Sequence, residues 1–180
     1  MESVSEAYKA RCIKRLNEWS APLSDWRCIY TYDVMDEDNE REDAGLFICE
    51  LCDCPQVRYV HVMFHEHYFE EIHVGCICAG IMEGDMLAAK AREREMKNRA
   101  KRKANYLMRE WQWRANGNRT MKYKNRRLTI MPSRSVNGGY GVVCDGRSIW
   151  NYKGKRIANQ PEAIRAAFDL VDPPIGGRRA

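Results

Sequence analysis

Five of the eight cysteines in this chain lie in one window of the sequence, between positions 49 and 78. Thiols crowded in this way are more often metal ligands than disulfides in a reducing compartment. Cys49 and Cys52 are separated by two residues, which lets two thiolates on one tight turn bind the same tetrahedral ion. The window therefore predicts a zinc knuckle, and the neighbouring segments have to fold around it.

Further ligands are expected downstream of the knuckle. Residues 57–64 and 72–75 have the pattern of two hairpin strands, and a helical pattern begins directly after them. A knuckle followed by a hairpin and by ligands at the start of a helix is the arrangement of a treble-clef-like module. The predicted ligands of one structural zinc ion are Cys49, Cys52, Cys76 and Cys78. Because Cys76 and Cys78 are spaced more tightly than usual, His61 or His73 is kept as a substitute for Cys76.

A closed set of four ligands leaves no position for water, so we expect a protein without catalytic activity. Four histidines lie in the hairpin, at positions 61, 65, 67 and 73. A metal-dependent nuclease that uses His61, His65 or His67 is therefore a third hypothesis for the function. The paired Asp-His or His-His start of an HNH-type nuclease is missing, which favours surface or packing roles for these side chains.

The longest helical pattern runs from Gly84 to about Asn116, with Asp85 as the expected N-cap. Its apolar stripe is predicted to contain Met96, Ala100, Ala104, Leu107 and Trp111. Ten Lys and Arg residues occupy the rest of the helix. Those predicted to contact phosphate are Lys97, Arg99, Lys101, Arg102 and Lys103.

The predicted fold class is α+β, with five segments along the chain. Residues 1–45 form a helix, a strand and an acidic loop at 33–43, and residues 46–83 form the zinc module. Residues 84–116 form the basic helix, residues 117–172 form a three-stranded antiparallel sheet closed by a helix, and residues 173–180 form a flexible tail. The strands of the sheet are predicted at 127–131, 139–145 and 148–152.

The C-terminal unit resembles the plant ethylene-response-factor type DNA-binding domain in its layout. The residues that carry the resemblance are Gly139–Val143, Ser148–Trp150, Lys153–Arg156 and Pro161–Asp169. That resemblance implies a nucleic-acid contact from the sheet face, where the family's Arg and Trp residues are partly present as Arg126, Arg127, Arg134, Arg147 and Trp150. Arg147 and Trp150 are added to the candidate residues.

A longer stretch, from Cys49 to about Phe168, resembles a family of uncharacterised bacterial, plasmid and phage proteins. The matching motifs are Cys49-Glu-Leu-Cys52, Arg58-Tyr-Val-His61, His65, Val74–Gly80, Arg92–Arg99 and Gly117-Asn118. The resemblance implies a zinc site and an intracellular compartment, with no activity attached. Cys54 stands where glycine is expected after the knuckle, which leaves open whether Cys52 or Cys54 is the second ligand.

The leading hypothesis is a zinc-stabilised protein that binds nucleic acid, with DNA favoured over RNA. The alternative is a protein-binding module that inhibits or recruits a partner protein through the acidic loop and exposed aromatic residues. No stretch has the pattern of a membrane span or a signal peptide, so we expect a cytoplasmic protein. No small-molecule substrate is evident.

Overall fold

The computed structural model describes residues 4–36, 45–135 and 138–175. The chain divides into two compact units, residues 1–100 with 175–180 and residues 101–174. Helices and antiparallel sheets occur in both, which confirms the predicted α+β class. Most of the acidic loop, at 37–43, and most of the predicted tail, at 176–180, lie outside the described residues. Within the described ranges, no helix is long and apolar enough to cross a membrane.

The first unit begins with helix α1 (Glu6–Glu18), capped by the Ser5 hydroxyl, which accepts from the Tyr8 N–H at 3.3 Å. Strands β1 (Arg27–Asp33), β2 (Tyr59–Phe64) and β3 (Ile72–Val74) form an antiparallel sheet in the order β1-β2-β3. The predicted hairpin is the β2–β3 pair. Helix α2 (Cys76–Glu83) follows the hairpin directly and ends at Gly84, which takes the left-handed conformation.

The core of the first unit lies between α1, the sheet and α2. Its fully or nearly fully buried members include Leu16, Trp26, Met63 and Met82. Several cysteines, described below, belong to the same cluster. Thiols at such positions pack as small apolar groups. Their burial therefore places metal-ligating atoms inside the core rather than on the surface.

Helix α3 (Met86–Leu107) is shorter than predicted and buries a different face. Met96 is buried as predicted, but Ala104 is exposed, and Leu107 is 47% exposed. The buried residues of α3 are Ala89, Met96, Arg99, Lys103 and Tyr106. The stripe was misplaced because cations were assumed to face solvent. Arg99 is instead paired with Asp36 at 2.8 Å inside the first unit.

The second unit contains a five-stranded antiparallel sheet in sequence order. Its strands are β4 (Gln112–Trp113), β5 (Arg119–Tyr123), β6 (Arg126–Pro132), β7 (Tyr140–Cys144) and β8 (Arg147–Ile149). Strands β9 (Asn151–Tyr152) and β10 (Lys155–Arg156) form a separate hairpin, and helix α4 (Gln160–Val171) follows. Three strands were predicted where the sheet has five, because residues 112–113 were assigned to the helix and β5 was missed.

Tyr106 anchors the core of the second unit. Its side chain is fully buried, and its hydroxyl donates to the Ile164 carbonyl at 2.9 Å. Its ring meets Tyr123 edge-on at a centroid distance of 5.0 Å and lies 5.1 Å from Phe168. A buried tyrosine needs such an acceptor for its hydroxyl. This acceptor on α4 explains why Tyr106, and not its neighbour Leu107, faces inward.

Asp172, just after α4, forms ion pairs with two cations of the second unit. Arg102 donates to its two carboxylate oxygens at 2.6 and 3.0 Å, and Lys124 donates at 3.0 Å. Burial by itself would raise the pKa of Asp172, but these hydrogen bonds outweigh it and lower the pKa. Arg102 is thus committed to an internal contact.

We predict that Asp172→Asn destabilises the protein by about 2 kcal/mol, because two cations lose a nearly buried carboxylate. Denaturant unfolding followed by circular dichroism measures the change. The matched control is Asp145→Asn, which removes an exposed ion pair with Arg126 at 3.3 Å and should cost less than about 0.5 kcal/mol. Equal losses in the two variants would contradict the assigned role of Asp172.

Candidate metal centre and cationic face

The candidate metal centre begins with a tight turn at residues 49–54. The Cys49 carbonyl accepts from the Asp53 N–H at 2.8 Å, and the Cys49 N–H donates to the Cys54 carbonyl at 2.9 Å. Asp53 takes the left-handed conformation that the turn requires, with φ 59°. Below the turn, Phe47 and Val57 exchange two backbone hydrogen bonds and close the loop. The chain is therefore folded into a knuckle at the predicted place.

Cys78 of α2 joins the two knuckle cysteines. The sulfur atoms of Cys49, Cys52 and Cys78 all lie within 4.8 Å of one another, close enough to hold a metal ion. Cys49 and Cys78 are almost completely buried, and Cys52 is partly exposed. In a tetrahedral thiolate site with metal–sulfur bonds of about 2.3 Å, the sulfurs are about 3.8 Å apart. The upper limit of 4.8 Å on the sulfur–sulfur distances is compatible with that spacing.

Cys76, a predicted ligand, lies outside this group of three. Successive residues of an α-helix are about 100° apart, so positions 76 and 78 face nearly opposite sides of α2. The Cys76 thiol instead contacts the Glu93 carboxylate on α3. Burial, followed by the nearby Glu93, raises the pKa of Cys76 to about 12. Cys54 is exposed and is also outside the group, so the structure brings Cys52 rather than Cys54 to the other sulfurs.

The two histidines considered as substitutes also lie outside the group. The His73 Nδ1 atom is 3.0 Å from the Tyr32 hydroxyl, and its ring packs near Phe47. His61 is fully buried in β2, and neither of its ring nitrogens has a hydrogen bond of normal geometry to another described residue. Burial, reinforced by the charge of Arg92, lowers the pKa of His61 to about 4. Its imidazole is therefore neutral in the folded protein.

The remaining histidines of the hairpin region occupy different environments. His65 is nearly buried beside Trp26, with a ring-centroid distance of 5.4 Å, and its Nδ1 accepts from the His67 N–H at 3.0 Å. His67 is exposed next to Glu66. The described residues do not bring His61, His65 and His67 together as metal ligands.

Hydrogen bonds stabilise negative charge on the sulfur of Cys49. The Gly75 N–H, at the N-cap of α2, donates to this sulfur at 3.4 Å. The hydrogen bond from the Cys78 thiol, assisted by backbone N–H groups, outweighs burial and lowers the pKa of Cys49 to about 5. Loss of a proton is therefore favoured at the Cys49 sulfur, and the thiolate is the form that binds metals.

The first helix also reaches the cluster, which the sequence analysis did not foresee. The Tyr8 hydroxyl is 3.1 Å from the Cys78 sulfur. Burial, together with the neighbouring cysteines, raises the pKa of Tyr8 above its usual range, so the phenol stays protonated. The available signal was the spacing of Tyr8 and Cys12, which are four residues apart in the sequence, but this spacing equally fits the apolar stripe of an ordinary amphipathic helix.

The structure gives the five candidate cations of α3 different environments. Arg99 and Lys103 are buried, and Arg102 is bound to Asp172. Lys97 is exposed and pairs with Glu93 at 2.8 Å, while Lys101 is exposed. Three of the five side chains therefore have limited access to an external phosphate.

Arg147 lies in β8, an edge strand of the five-stranded sheet, and Trp150 directly follows that strand. Arg147 pairs in register with Cys144, whose side chain is buried on the side of the sheet that packs against α4. Trp150 covers Gly141, where an added Cβ atom would come within 2.8 Å of the indole ring. Trp150 is 36% exposed, so part of its ring remains accessible.

A cationic face lies on the opposite side of the sheet. Lys122 and Arg127 are cross-strand partners on β5 and β6, exposed, and without an acidic partner among the described residues. Arg114 is held beside them because its Nε donates to the Thr120 hydroxyl at 2.8 Å. These residues border a groove of about 720 Å³, which is lined by Arg109, Glu110, Gln112, Arg114, Thr120, Met121, Lys122, Asn125 and Arg127. We call this surface the cationic face.

Charge is divided unequally between the two units. Residues 101–174 contain 16 Lys and Arg against 5 Asp and Glu, a formal net charge of +11. The rest of the chain contains 14 Lys and Arg against 20 Asp and Glu, a net charge of −6. The modest total of +5 therefore combines a strongly basic unit with an acidic one.

Comparison of the chain with family models, curated proteins and solved structures found no match.

The pKa of His61 predicts a loss of stability in acid. Below about pH 6.5 the unfolded chain binds a proton that the folded protein excludes until about pH 4. At pH 5 this difference costs about 2 kcal/mol relative to pH 7. Denaturant unfolding at the two pH values should show a smaller loss for His61→Phe than for the wild type. His67→Gln, at an exposed histidine, should behave like the wild type, and an unchanged pH dependence in His61→Phe would contradict the assignment.

Proposed function

We propose that this chain is a zinc-stabilised, non-enzymatic protein that binds nucleic acid through the cationic face of its second unit. The observation that carries the proposal is the concentration of net charge +11 in residues 101–174, with Lys122 and Arg127 side by side on an exposed sheet. A basic surface of this kind is the electrostatic footprint of proteins that lie on phosphates.

The cationic face is suited to phosphate for three reasons. Lys122 and Arg127 have no acidic partner among the described residues, so binding a phosphate breaks no ion pair. Arg114 is already oriented by Thr120, which reduces the entropy lost when its guanidinium binds an anion. Exposed Gln112 and Asn125 at the same groove offer hydrogen bonds to sugars or base edges.

The main contact with phosphate is thus proposed on the sheet and not on the basic helix. Arg99, Arg102 and Lys103 stabilise the protein internally, and Lys97 is paired with Glu93, whereas exposed Lys101 is kept as a secondary contact. Arg147 is left out because its register places it on the other side of the sheet. DNA remains the favoured ligand over RNA, and the titration below compares them directly.

Zinc is the metal proposed for the thiolate group because soft sulfur ligands in a tetrahedral arrangement select it over harder divalent ions. The order of knuckle, β2–β3 hairpin and α2 supports a treble-clef-like module. The ion joins residues 49 and 52 of the knuckle to residue 78 of the helix, and thereby closes a long loop in the first unit. Its proposed role is structural.

The metal proposal predicts that purified protein contains one zinc ion per chain. Cys52→Ser should lose most of this zinc, because the variant removes one of the three clustered sulfurs. Cys54→Ser, a matched change at an exposed cysteine two residues away, should retain it. Zinc content by elemental analysis after dialysis measures both, and equal retention would contradict the ligand assignment.

The nucleic-acid proposal is tested by a salt titration of the full chain with a labelled DNA duplex and an RNA strand of the same length. Each phosphate contact contributes a slope of about −0.9 to the dependence of log affinity on log salt for duplex DNA. Replacing Lys122 and Arg127 together with Gln should flatten the slope by about 2.

The control variant carries Lys153→Gln and Lys155→Gln, which remove the same charge from the β9–β10 hairpin. Its slope should match that of the wild type. A slope that flattens equally in both variants would show that binding depends on total charge rather than on the cationic face. Salt-insensitive or absent binding to both ligands would overturn the proposed function.

A further inference from the structure

The three clustered sulfurs leave one position of a tetrahedral zinc site to be filled. Structural zinc sites are almost always closed by four protein ligands. We infer that Cys12, on the N-terminal helix α1, supplies the fourth thiolate. This inference rests on the proposed zinc site, and it extends that site to a segment far from the cysteine window in the sequence.

The position of Cys12 carries the inference. Its side chain is completely buried in the core cluster that contains Cys49 and Cys78. Its thiol lies next to the thiol of Cys78 and within electrostatic range of Cys49. A fourth thiol therefore lies against the group of three inside the protein.

The neighbours of Cys12 on α1 hold this face of the helix against the site. Tyr8 is one turn earlier, and its hydroxyl is 3.1 Å from the Cys78 sulfur. Arg15, almost one turn later, pairs with Asp53 of the knuckle at 3.2 Å. Leu16 is fully buried in the core beneath the same helix. Contacts on both sides of Cys12 thus fix the direction in which its side chain approaches.

The other candidates for the fourth position are engaged elsewhere. The Cys76 thiol contacts Glu93, and the Cys28 sulfur donates to the Tyr30 carbonyl at 3.5 Å. The His73 ring is hydrogen bonded to Tyr32, and Cys54 is exposed. Among the described residues, Cys12 has a thiol next to these three cysteines, although it is not one of the three whose sulfurs lie within 4.8 Å of one another. For ligation, the Cys12 sulfur has to approach the other three to about 3.8 Å.

Tyr8 then has a separate role as a positioning residue. With zinc bound by four thiolates, its hydroxyl donates a hydrogen bond to the Cys78 sulfur and disperses part of the negative charge. A site of one Zn²⁺ and four thiolates carries a net charge of −2, so a hydrogen-bond donor of this kind should slow the release of the metal. The ion would consequently tie α1 to the knuckle and to α2.

X-ray absorption spectroscopy of the zinc-loaded full chain tests the inference by counting sulfur ligands. The wild type should show four sulfurs, and Cys12→Ser should show three sulfurs and one oxygen or nitrogen. Cobalt substitution should give a thiolate-to-metal charge-transfer band about one quarter weaker in Cys12→Ser, in proportion to the loss of one of four thiolates. Zinc affinity, measured by chelator competition, should fall by more than tenfold.

Two further variants separate ligation from general packing. Cys76→Ser should keep four sulfurs, and Tyr8→Phe should keep four sulfurs with affinity lowered by about tenfold or less. If Cys12→Ser does not fold, the wild-type count still decides, because three sulfurs there would overturn the assignment. Four sulfurs in folded Cys12→Ser would overturn it as well. A wild type without any zinc would instead contradict the proposed metal site itself.

Discussion

The first unit depends on bringing three thiols from two distant segments into one small volume. Crowded thiols cannot all ionise without a counter-charge, and the hydrogen bonds around Cys49 stabilise one thiolate. A divalent ion would supply the missing positive charge and would replace the protons that the cysteines otherwise share. In the proposed account, this exchange fixes the knuckle to α2, and the hairpin between them has little freedom to rearrange.

Polar contacts join the knuckle to the two helices that surround the three cysteines. The N–H of Gly75, at the start of α2, donates a hydrogen bond to the Cys49 sulfur, and Arg15 of α1 forms an ion pair with Asp53 of the knuckle. His61 has no comparable contact, and burial together with the charge of Arg92 holds it neutral. The hairpin therefore contributes packing rather than ligands, and it positions the segments that carry the cysteines.

The knuckle, the hairpin and the final helix could be predicted from the sequence because their signals are local. Cys49 and Cys52 are neighbours, and Pro161 marks the first turn of α4. The contact between Tyr8 and Cys78 could not be predicted, because it joins residues far apart in the sequence through a helix that looked like an ordinary amphipathic one. The assignment of Cys76 overlooked that positions two apart on a helix face opposite sides.

The basic helix shows a different kind of failure. Lys and Arg side chains are usually solvated, so Arg99 and Lys103 were predicted to face outward. Their burial depends on partners from other parts of the chain, such as Asp36 for Arg99, which periodicity cannot reveal. Conversely, the cationic face arises from the register of β5 with β6, which places Lys122 beside Arg127. No spacing along the chain indicates that neighbourhood.

The most direct test of the central claim is amide hydrogen exchange of the full chain with zinc and after its removal by a chelator. If the ion holds the first unit together, removing it should sharply reduce protection in β2, β3 and α2, while β5–β7 and α4 of the second unit keep theirs. Unchanged protection in β2, β3 and α2 of a protein shown to have lost its metal would contradict a structural role for zinc.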